Sequence, residues 1–295
     1  MSDHAHSEGR HVDQVSGTRT TGHEWDGIRE LDNPLPRWWQ WVFYACIVWS
    51  IGYWVLYPAW PMVHSYTKGL LGYSSRGQVD VAIKEAKTAQ KGELEKIVAA
   101  PLEQIRTDPN LLEFAMAGGR SAFAVHCSQC HGSGAQGGKG FPNLNDDEWL
   151  WGGTLNAINF TITHGVRNTV DEDARQSQMP AFLKDGILKP EQVNDVAEYV
   201  LSLTGRSTDA TAAARGHKVF TDNCEACHQK GGVGGQQFGA PPLNNDIWLY
   251  GGDKATIMET VSYSRHGVMP AWGKILDKAT IKELTVYVHS LGGGK

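Results

Sequence analysis

The chain has 295 residues, carries a formal net charge of −5 at pH 7 and contains 34 glycines. This length allows two modest domains with additional segments. The acidic balance argues against a nucleic-acid partner, because proteins of that class meet the phosphate backbone with basic surfaces. The frequent glycines suit small domains that are rich in loops.

The N-terminal part contains one long apolar segment. Residues 1–36 before it are polar and contain four histidines, His4, His6, His11 and His23. We expect a disordered tail there, although the histidines also allow a metal-binding tail. Trp38–Trp60 has no charged side chain, so a helix there is long enough to cross about 30 Å of hydrocarbon. We predict a transmembrane helix in residues 37–61, with aromatic side chains near both interfaces; Cys46 within it is interpreted as a small apolar residue.

Residues 62–108 connect this helix to the rest of the chain. Within them, 76–100 are rich in Lys, Glu and Ala, which predicts a solvated helix that ends at Pro101. We interpret the whole segment as a linker arm between the membrane and the globular part of the protein.

Four of the five cysteines occur in two copies of one motif. These copies are Cys127-Ser-Gln-Cys130-His131 and Cys224-Glu-Ala-Cys227-His228. C-x-x-C-H is the attachment motif of c-type haem. The two thiols can each bond a vinyl group of the same haem, and the adjacent histidine then lies below the iron as an axial ligand. The sequence therefore predicts two covalently bound haem c groups.

A zinc site and a thiol redox centre are the alternatives for such cysteines. A zinc ribbon places its two C-x-x-C pairs about 15–20 residues apart, whereas these pairs are separated by the length of a small domain. Each pair is also followed directly by histidine and then by a glycine-rich loop. Both features favour haem attachment over zinc binding.

An internal repeat organises the chain after residue 108. Each copy contains, in the same order, a haem motif, a proline loop, a Trp-Leu-aromatic-Gly-Gly segment, a His-Gly pair, a Met-Pro-Ala turn and a final segment. The first copy has Phe141–Leu144, Trp149–Gly153, His164-Gly165, Met179–Phe182 and Tyr199–Leu203, and the second has Ala240–Leu243, Trp248–Gly252, His266-Gly267, Met269–Trp272 and Tyr287–Leu291. Between the His-Gly pair and the Met-Pro turn, the first copy carries an acidic insertion over Val166–Gln178.

The repeat predicts a mainly α-helical fold, in which the transmembrane helix is followed by two tandem cytochrome c-like domains, residues 109–206 and 207–295. Apolar residues recur at helical spacing in 190–204 and 279–291, so each domain is expected to close with its own terminal helix. Each repeat is shorter than about 100 residues, so the haem must supply much of the core.

The sixth iron ligand is assigned to Met179 and Met269, each of which precedes a proline. Thioether sulfur is a soft ligand that raises the reduction potential, and the proline fixes the backbone of the turn. The alternatives are core methionines or ligation by His164 and His266, which are also interpreted as equivalent positions of the two repeats. With histidine and methionine in both axial positions, no coordination site is open to a substrate. That arrangement favours electron transfer over catalysis.

Several segments resemble those of one known family. The run Asp26–Trp39, the helix end Tyr57–Pro61 and Ala117–Arg120, together with both haem motifs and the Met-Pro-Ala-Trp turn, resemble the di-haem subunit, CcoP or FixP, of cbb3-type haem–copper cytochrome c oxidases. The resemblance extends over about residues 24–293. It implies that the chain accepts electrons from a donor cytochrome c. It also implies that they pass to a mono-haem subunit and then to the catalytic haem–copper subunit, where oxygen is reduced.

Haem attachment also predicts the orientation of the chain. Because haem is attached to C-x-x-C-H outside the bacterial cytoplasm, we expect periplasmic haem domains, a cytoplasmic tail of residues 1–36 and one crossing of the inner membrane. Basic residues flank both ends of the apolar helix, so the positive-inside rule adds little support.

Two other functions stay open. A di-haem carrier that serves another respiratory complex or dehydrogenase would keep both haem motifs but lack the run Asp26–Trp39. A di-haem peroxidase would need one five-coordinate iron, and the presence of both Met-Pro turns counts against it.

The two repeats differ in charge. Acidic side chains are collected in the first, at Asp146, Asp147, Glu148, Asp171, Glu172 and Asp173. Such a surface would steer a basic donor cytochrome toward this repeat, whereas ordinary solvated loops are the alternative interpretation.

Overall fold

A computed structural model describes residues 11–292 of the chain. The described part is mainly helical, as predicted. Its strands and α-helices are β1 Thr20–Trp25, β2 Ile28–Leu31, α1 Arg37–Leu56, α2 Ser75–Ala99, α3 Leu102–Thr107, α4 Pro109–His126, α5 Ser128–His131, α6 Leu155–His164, α7 Pro190–Ser202, α8 Ala210–Asn223, α9 Glu225–His228, α10 Lys254–Tyr263 and α11 Lys278–Gly292. Two short 3₁₀ turns, Lys230–Gly232 and Trp272–Lys274, complete the described elements. The chain divides into an N-terminal unit that ends at Thr88 and a second unit that begins at Ala89.

The polar segment before the membrane helix contains an ordered β-hairpin, so the expectation of a disordered tail was wrong there. Strands β1 and β2 pair antiparallel, with Trp25 opposite Ile28. Asp26 and Gly27 between them have φ angles of 52° and 82°. This backbone is the two-residue turn that an Asp-Gly pair favours. Histidines 4 and 6 lie outside the described residues.

Helix α1 has the properties of a membrane-spanning segment. It is 20 residues long, with a mean hydropathy of 1.2 over its most apolar window and no buried side chain. Ser50 donates its hydroxyl to the Cys46 carbonyl at 2.7 Å, so this polar group is satisfied within the helix. The helix ends at Leu56, earlier than predicted, because Tyr57 already has the extended backbone that a residue before proline prefers.

The second unit is built around two helix crossings. Helix α4 packs against α11, and α7 packs against α8. A glycine lies at each crossing: a Cβ on Gly119 would overlap the Glu283 carbonyl oxygen, and one on Gly216 would overlap the Asp195 carbonyl oxygen. Only glycine allows two backbones to approach this closely.

These pairs differ from the order of the repeats. The sequence suggested that each repeat closes with its own terminal helix, whereas the structure exchanges the terminal helices α7 and α11 between the repeats. Subdomain A, as named here, comprises α3–α6, the residues after α6 as far as Arg175, and the segment from Met269 to α11. Subdomain B comprises the continuous segment from Gln176 through α10. Relative to A, the elements of B are circularly permuted, and B is inserted into A.

Each subdomain has its own apolar core. The core of A around the first haem motif is formed by Phe123, Ala135, Ile158, Ile162, Ile281, Leu284 and Val288. The core of B is formed by Phe182, Leu188, Val193, Val196, Ala197, Val200, Leu201, Val219, Phe220, Cys224, Ile257 and Val261. Both lists combine residues from the two repeats, which confirms the exchange at the level of side-chain packing.

The connection between α7 and α8 is held by one carboxylate. Glu198 is fully buried and accepts hydrogen bonds from the Ser207 hydroxyl at 2.6 Å and the Thr208 amide at 3.0 Å. Lys254 from α10 pairs with it at 2.8 Å. These donors, led by Lys254, lower the pKa of Glu198 to about 2. The buried charge therefore fixes the turn that makes α7 and α8 direct neighbours.

Two equivalent arginines show that the insertion in the first repeat is shorter than predicted. Arg175 donates from Nε to the Thr161 hydroxyl at 2.9 Å, and Arg265 donates from Nε to the Thr260 hydroxyl at 3.0 Å. Each also donates from Nη2 to a carbonyl in the first turn of the preceding helix. The two arginines are therefore equivalent, and the insertion is Val166–Ala174 rather than Val166–Gln178.

This alignment corrects one sequence interpretation. Counting forward from the equivalent threonines Thr161 and Thr260 places His164 opposite Tyr263. Counting forward from Arg175 and Arg265 places His266 opposite Gln176. The two His-Gly pairs therefore resemble each other in sequence but do not occupy equivalent positions.

Candidate haem sites

Each C-x-x-C-H motif forms a single helical turn at the end of a long helix. Cys127 follows α4, and its carbonyl accepts the amides of Cys130 at 3.2 Å and His131 at 2.9 Å. The second motif repeats this turn after α8, with Cys227 at 3.1 Å and His228 at 2.9 Å from the Cys224 carbonyl. The helical turn that the sequence predicts for each motif is therefore present in the structure.

The two proximal histidines have a fixed tautomer. Nδ1 of His131 lies 3.0 Å from the Pro142 carbonyl oxygen, and Nδ1 of His228 lies 3.0 Å from the Pro241 carbonyl oxygen. A carbonyl only accepts hydrogen bonds, so Nδ1 must carry the proton and Nε2 keeps its lone pair for a metal. Burial lowers the pKa of both imidazoles, which favours the neutral form that binds iron.

The first thiol of each motif is unsuited to thiol–disulfide exchange. Burial raises the pKa of Cys127 to about 11 and that of Cys224 to about 12. Redox-active C-x-x-C pairs instead lower the pKa of one thiol, because the thiolate is the nucleophile. This difference supports covalent attachment of a cofactor over a thiol redox centre.

Met179 of the first repeat lies in the site of the second haem motif. It lines a cavity in subdomain B together with Cys224, Cys227 and His228. The Ser264 hydroxyl, at the end of α10, donates to the Met179 carbonyl. Met179 also packs against the core of B.

Met269 of the second repeat lies correspondingly in subdomain A. Its amide donates to the Val166 carbonyl at 2.9 Å, and its carbonyl accepts the Val166 amide at 3.1 Å. Its side chain packs against the core that includes Phe123, with Cys127 at the edge of the same cluster. Each haem motif is thus grouped with the methionine of the other repeat.

A pair of tryptophans tests whether these sites fit a haem. Nε1 of Trp149 and Nε1 of Trp248 are buried and, within residues 11–292, have no hydrogen-bond partner. A buried donor without an acceptor is costly and rare in proteins. The two tryptophans are repeat-equivalent, and each packs with the core of its haem motif. Haem carries two carboxylates, which are suitable acceptors, so the residues present fit this group.

The two alternative histidine ligands lie in different surroundings. Nδ1 of His164 is 3.1 Å from an Asp171 carboxylate oxygen, and this contact lowers the pKa of Asp171. Asp173 contributes a third ligand atom to the same cluster. His266 is exposed at the edge of the cavity in B. Neither histidine has the hydrogen bond from Nδ1 to a backbone carbonyl that His131 and His228 make.

The acidic residues of the first repeat are not one uniform surface. Glu148 accepts a hydrogen bond from Asn245 at 2.8 Å, and Asp171 is buried against His164. Asp147, Glu172 and Asp173 are exposed, whereas Asp146 is half-buried. The exposed members are therefore the ones available to a partner.

Three segments of the chain match known families. Residues 17–64 match the family described as the N-terminal domain of cytochrome oxidase-cbb3, FixP. Residues 116–204 match cytochrome c, and residues 211–288 match cytochrome C oxidase, cbb3-type, subunit III. The first match covers the run before the membrane helix, and the other two cover one haem motif each.

Full-length relatives are similar over almost the whole chain. A cbb3-type cytochrome c oxidase subunit CcoP from Azospirillum brasilense is 56% identical, over 96% of this chain and 98% of the relative. The corresponding figures are 52%, 94% and 95% for the CcoP subunit from Cereibacter sphaeroides. They are 53%, 97% and 98% for a FixP subunit from Sinorhizobium medicae.

Proposed function

Because the chain belongs to the CcoP/FixP family of cbb3-type cytochrome c oxidase subunits, we propose that it is the membrane-anchored electron-transfer subunit of such an oxidase and carries two haem c groups. The observation that carries this proposal is the pair of C-x-x-C-H turns. Each has a half-buried histidine whose Nδ1 is bonded to a carbonyl, so that Nε2 is left for a metal, and each is grouped with a methionine of the other repeat.

The proposed attachment residues are Cys127 and Cys130 for the haem c of subdomain A, called haem A below, and Cys224 and Cys227 for the haem c of subdomain B, called haem B below. The haem supplies reversible one-electron chemistry when bound. The chain would supply the covalent anchors, the apolar core and one fixed imidazole for each haem. These groups would hold the haem and tune its reduction potential, and none of them binds a further substrate.

The axial pairs follow from the exchange between the repeats. We assign His131 and Met269 to haem A, and His228 and Met179 to haem B. With both axial positions filled, neither iron has an open site for oxygen or peroxide. Oxygen reduction is accordingly assigned to the catalytic haem–copper subunit, and the peroxidase alternative is disfavoured.

The direction of electron flow completes the proposal. The haem domains face the periplasm, and the single helix α1 crosses the inner membrane with residues 1–36 on the cytoplasmic side. A soluble or anchored donor cytochrome c reduces these haems, and electrons then pass to the mono-haem subunit and the catalytic subunit. The match of residues 17–64 to the FixP family favours this complex over another respiratory partner.

Axial ligation can be tested by spectroscopy on the full chain. We expect mass spectrometry to show two covalent haem additions. Met179→Ala should then remove the low-spin His/Met spectrum of one haem and lower its reduction potential, and Met269→Ala should do so for the other. Met258→Ala is the matched control, because Met258 packs against the core of B without a proposed ligand role.

The exchange itself requires a background with a single haem. In a Cys127→Ala, Cys130→Ala chain only haem B is attached, so Met179→Ala should change its spectrum and Met269→Ala should not. The opposite result would return the ligands to their own repeats. Retention of an unchanged spectrum in both methionine variants would instead support histidine as the sixth ligand.

A further inference from the structure

The insertion Val166–Ala174 has no counterpart in the second repeat and places an arginine in an unusual conformation. Arg167 has a φ of 53°, in the left-handed region that residues with a Cβ disfavour. Its amide donates to the Arg175 carbonyl at 2.9 Å, and its neighbour Asn168 is buried. Strain of this kind persists where the surroundings fix the backbone, and it often marks a functional position.

The Arg167 side chain extends from subdomain A toward the site in B. Nε donates to the Gly267 carbonyl at 2.7 Å, and Nη1 donates to the Ser177 carbonyl at 2.9 Å. The same side chain lines the cavity that contains Met179 and His228. Two hydrogen bonds thus fix the guanidinium, while Nη2 donates to no group of the described residues.

The charge of Arg167 also has no acidic partner among the described residues. The side chain is half-buried, and desolvation lowers its pKa, but a guanidinium stays protonated in proteins. Arg265 lines the same cavity and provides a contrast, because its Nη1 pairs with Glu259 at 2.9 Å. Of these two cavity arginines, only Arg167 brings a charge that the protein leaves uncompensated.

We propose that Arg167 binds a carboxylate of haem B through Nη2 and raises the reduction potential of that haem. The inference rests on the proposed attachment of a haem at Cys224 and Cys227. Reduction adds an electron to the site, and a fixed cation in a partly desolvated cavity stabilises the reduced state. The guanidinium is suited to a carboxylate because its donors form a planar fork. A residue of the first repeat therefore tunes the haem of the second.

The test is a redox titration of the purified full-length chain that carries both haems. Arg167→Gln should shift the reduction equilibrium of haem B about tenfold toward the oxidised form, which corresponds to about 59 mV for one electron. Haem A should shift much less. Arg167→Lys keeps the charge and should retain most of the potential. Lys218→Gln is the matched control, since it removes one positive charge from an exposed site on α8 of the same subdomain.

The outcomes separate this inference from the proposed function. If the chain without substitutions carries no covalent haem or shows no His/Met spectrum, the proposed function is refuted. With both haems present, an unchanged potential of haem B in Arg167→Gln would overturn the inference. Equal shifts of both haems, or an equal shift in Lys218→Gln, would overturn it as well. Arg167→Met, which retains side-chain length without charge, replaces Arg167→Gln if that variant loses a haem.

Discussion

The two helix crossings of the globular unit have the same geometry, but the acidic residue beside each glycine has its pKa shifted in opposite directions. In subdomain A, the Glu283 carboxylate lies over Gly118 of α4, is buried and has no hydrogen-bond or ion-pair partner among the described residues. Burial, followed by repulsion from Asp277, raises its pKa to about 7. In subdomain B, Asp195 occupies the equivalent position on α7.

Asp195 has the partner that Glu283 lacks. Arg215 stands where the first repeat has Gly118, and it donates to both Asp195 carboxylate oxygens, at 2.8 and 2.7 Å. This contact lowers the pKa of Asp195. The comparison shows that the crossing requires a close glycine in both subdomains, whereas the acidic residue beside it can be paired or unpaired. The subdomains should therefore respond differently to mutation and to pH.

The largest effect should come from the crossing glycines. Gly216→Ala places a Cβ against the Asp195 backbone, and Gly119→Ala does the same against Glu283, so each should cost about 3 kcal/mol or more of unfolding free energy. We expect Gly216→Ala to reduce attachment or stability of haem B and Gly119→Ala that of haem A. Denaturant unfolding with haem counting by mass spectrometry measures both effects.

The glycine prediction has a matched control in α2. Gly92 lies in that helix with open space around it, so Gly92→Ala should leave both haems and the unfolding midpoint of the globular unit unchanged or slightly raised. If Gly119→Ala destabilised haem B instead of haem A, the assignment of α4 and α11 to one subdomain would be refuted.

The next largest loss of unfolding free energy should come from Glu198, the buried carboxylate of subdomain B. Glu198→Gln leaves Lys254 and the 207–209 turn without their charged acceptor, so we expect a loss of roughly 2 to 4 kcal/mol at pH 7. The folded pKa of Glu198 is lowered from 4.5 to about 2. Its stabilisation is therefore present above pH 4.5 and is lost as the pH falls toward 2. Urea unfolding at several pH values measures this, with exposed Glu191→Gln as the control.

Glu283 should give the opposite dependence of stability on pH. Its pKa is raised from 4.5 to about 7 in the folded chain, so the folded state binds more protons between these values and stability falls as the pH rises through them. Glu283→Gln removes this dependence and should stabilise the protein at pH 8 by at most about 3 kcal/mol, with little effect at pH 4.5.

The control for Glu283 is Glu113→Gln on the exposed face of α4. If Glu283→Gln were equally stabilising at pH 4.5 and pH 8, titration of the carboxyl would not be the cause. If it were destabilising at pH 8, the carboxylate would have a partner in solution, and the contrast with Asp195 would disappear.

The local features of this fold were predictable from sequence because their causes are local. The C-x-x-C-H spacing determines the attachment turn, and the apolar length of α1 determines its membrane role. The pairing of α4 with α11 was not predictable in the same way. Both terminal helices have similar apolar faces, so the repeat does not predict which of the helices before the haem motifs each one packs against.

The insertion was misplaced for a related reason. The dipeptide His-Gly occurs in both repeats, so aligning His164 with His266 was the simplest reading of the sequence. Hydrogen bonds of Arg175 and Arg265 to equivalent threonines reveal the correct register. The β-hairpin at Asp26-Gly27 had a recognisable turn signal, but the polar composition around it favoured disorder.

The smallest effect concerns the acidic residues of the first repeat. Glu172 and Asp173 are exposed in the insertion, whereas Asp171 is buried against His164, so within the insertion the first two are available to steer a basic donor cytochrome. Neutralising both should slow reduction by such a donor a few-fold at low ionic strength and have almost no effect at 1 M salt, where the Debye length is about 3 Å. Asp80→Asn with Glu85→Gln on α2 changes the net charge equally and should have a smaller effect. Stopped-flow reduction across a salt series measures this, and parallel salt dependences for the unchanged chain and the Glu172, Asp173 variant would exclude steering by the insertion.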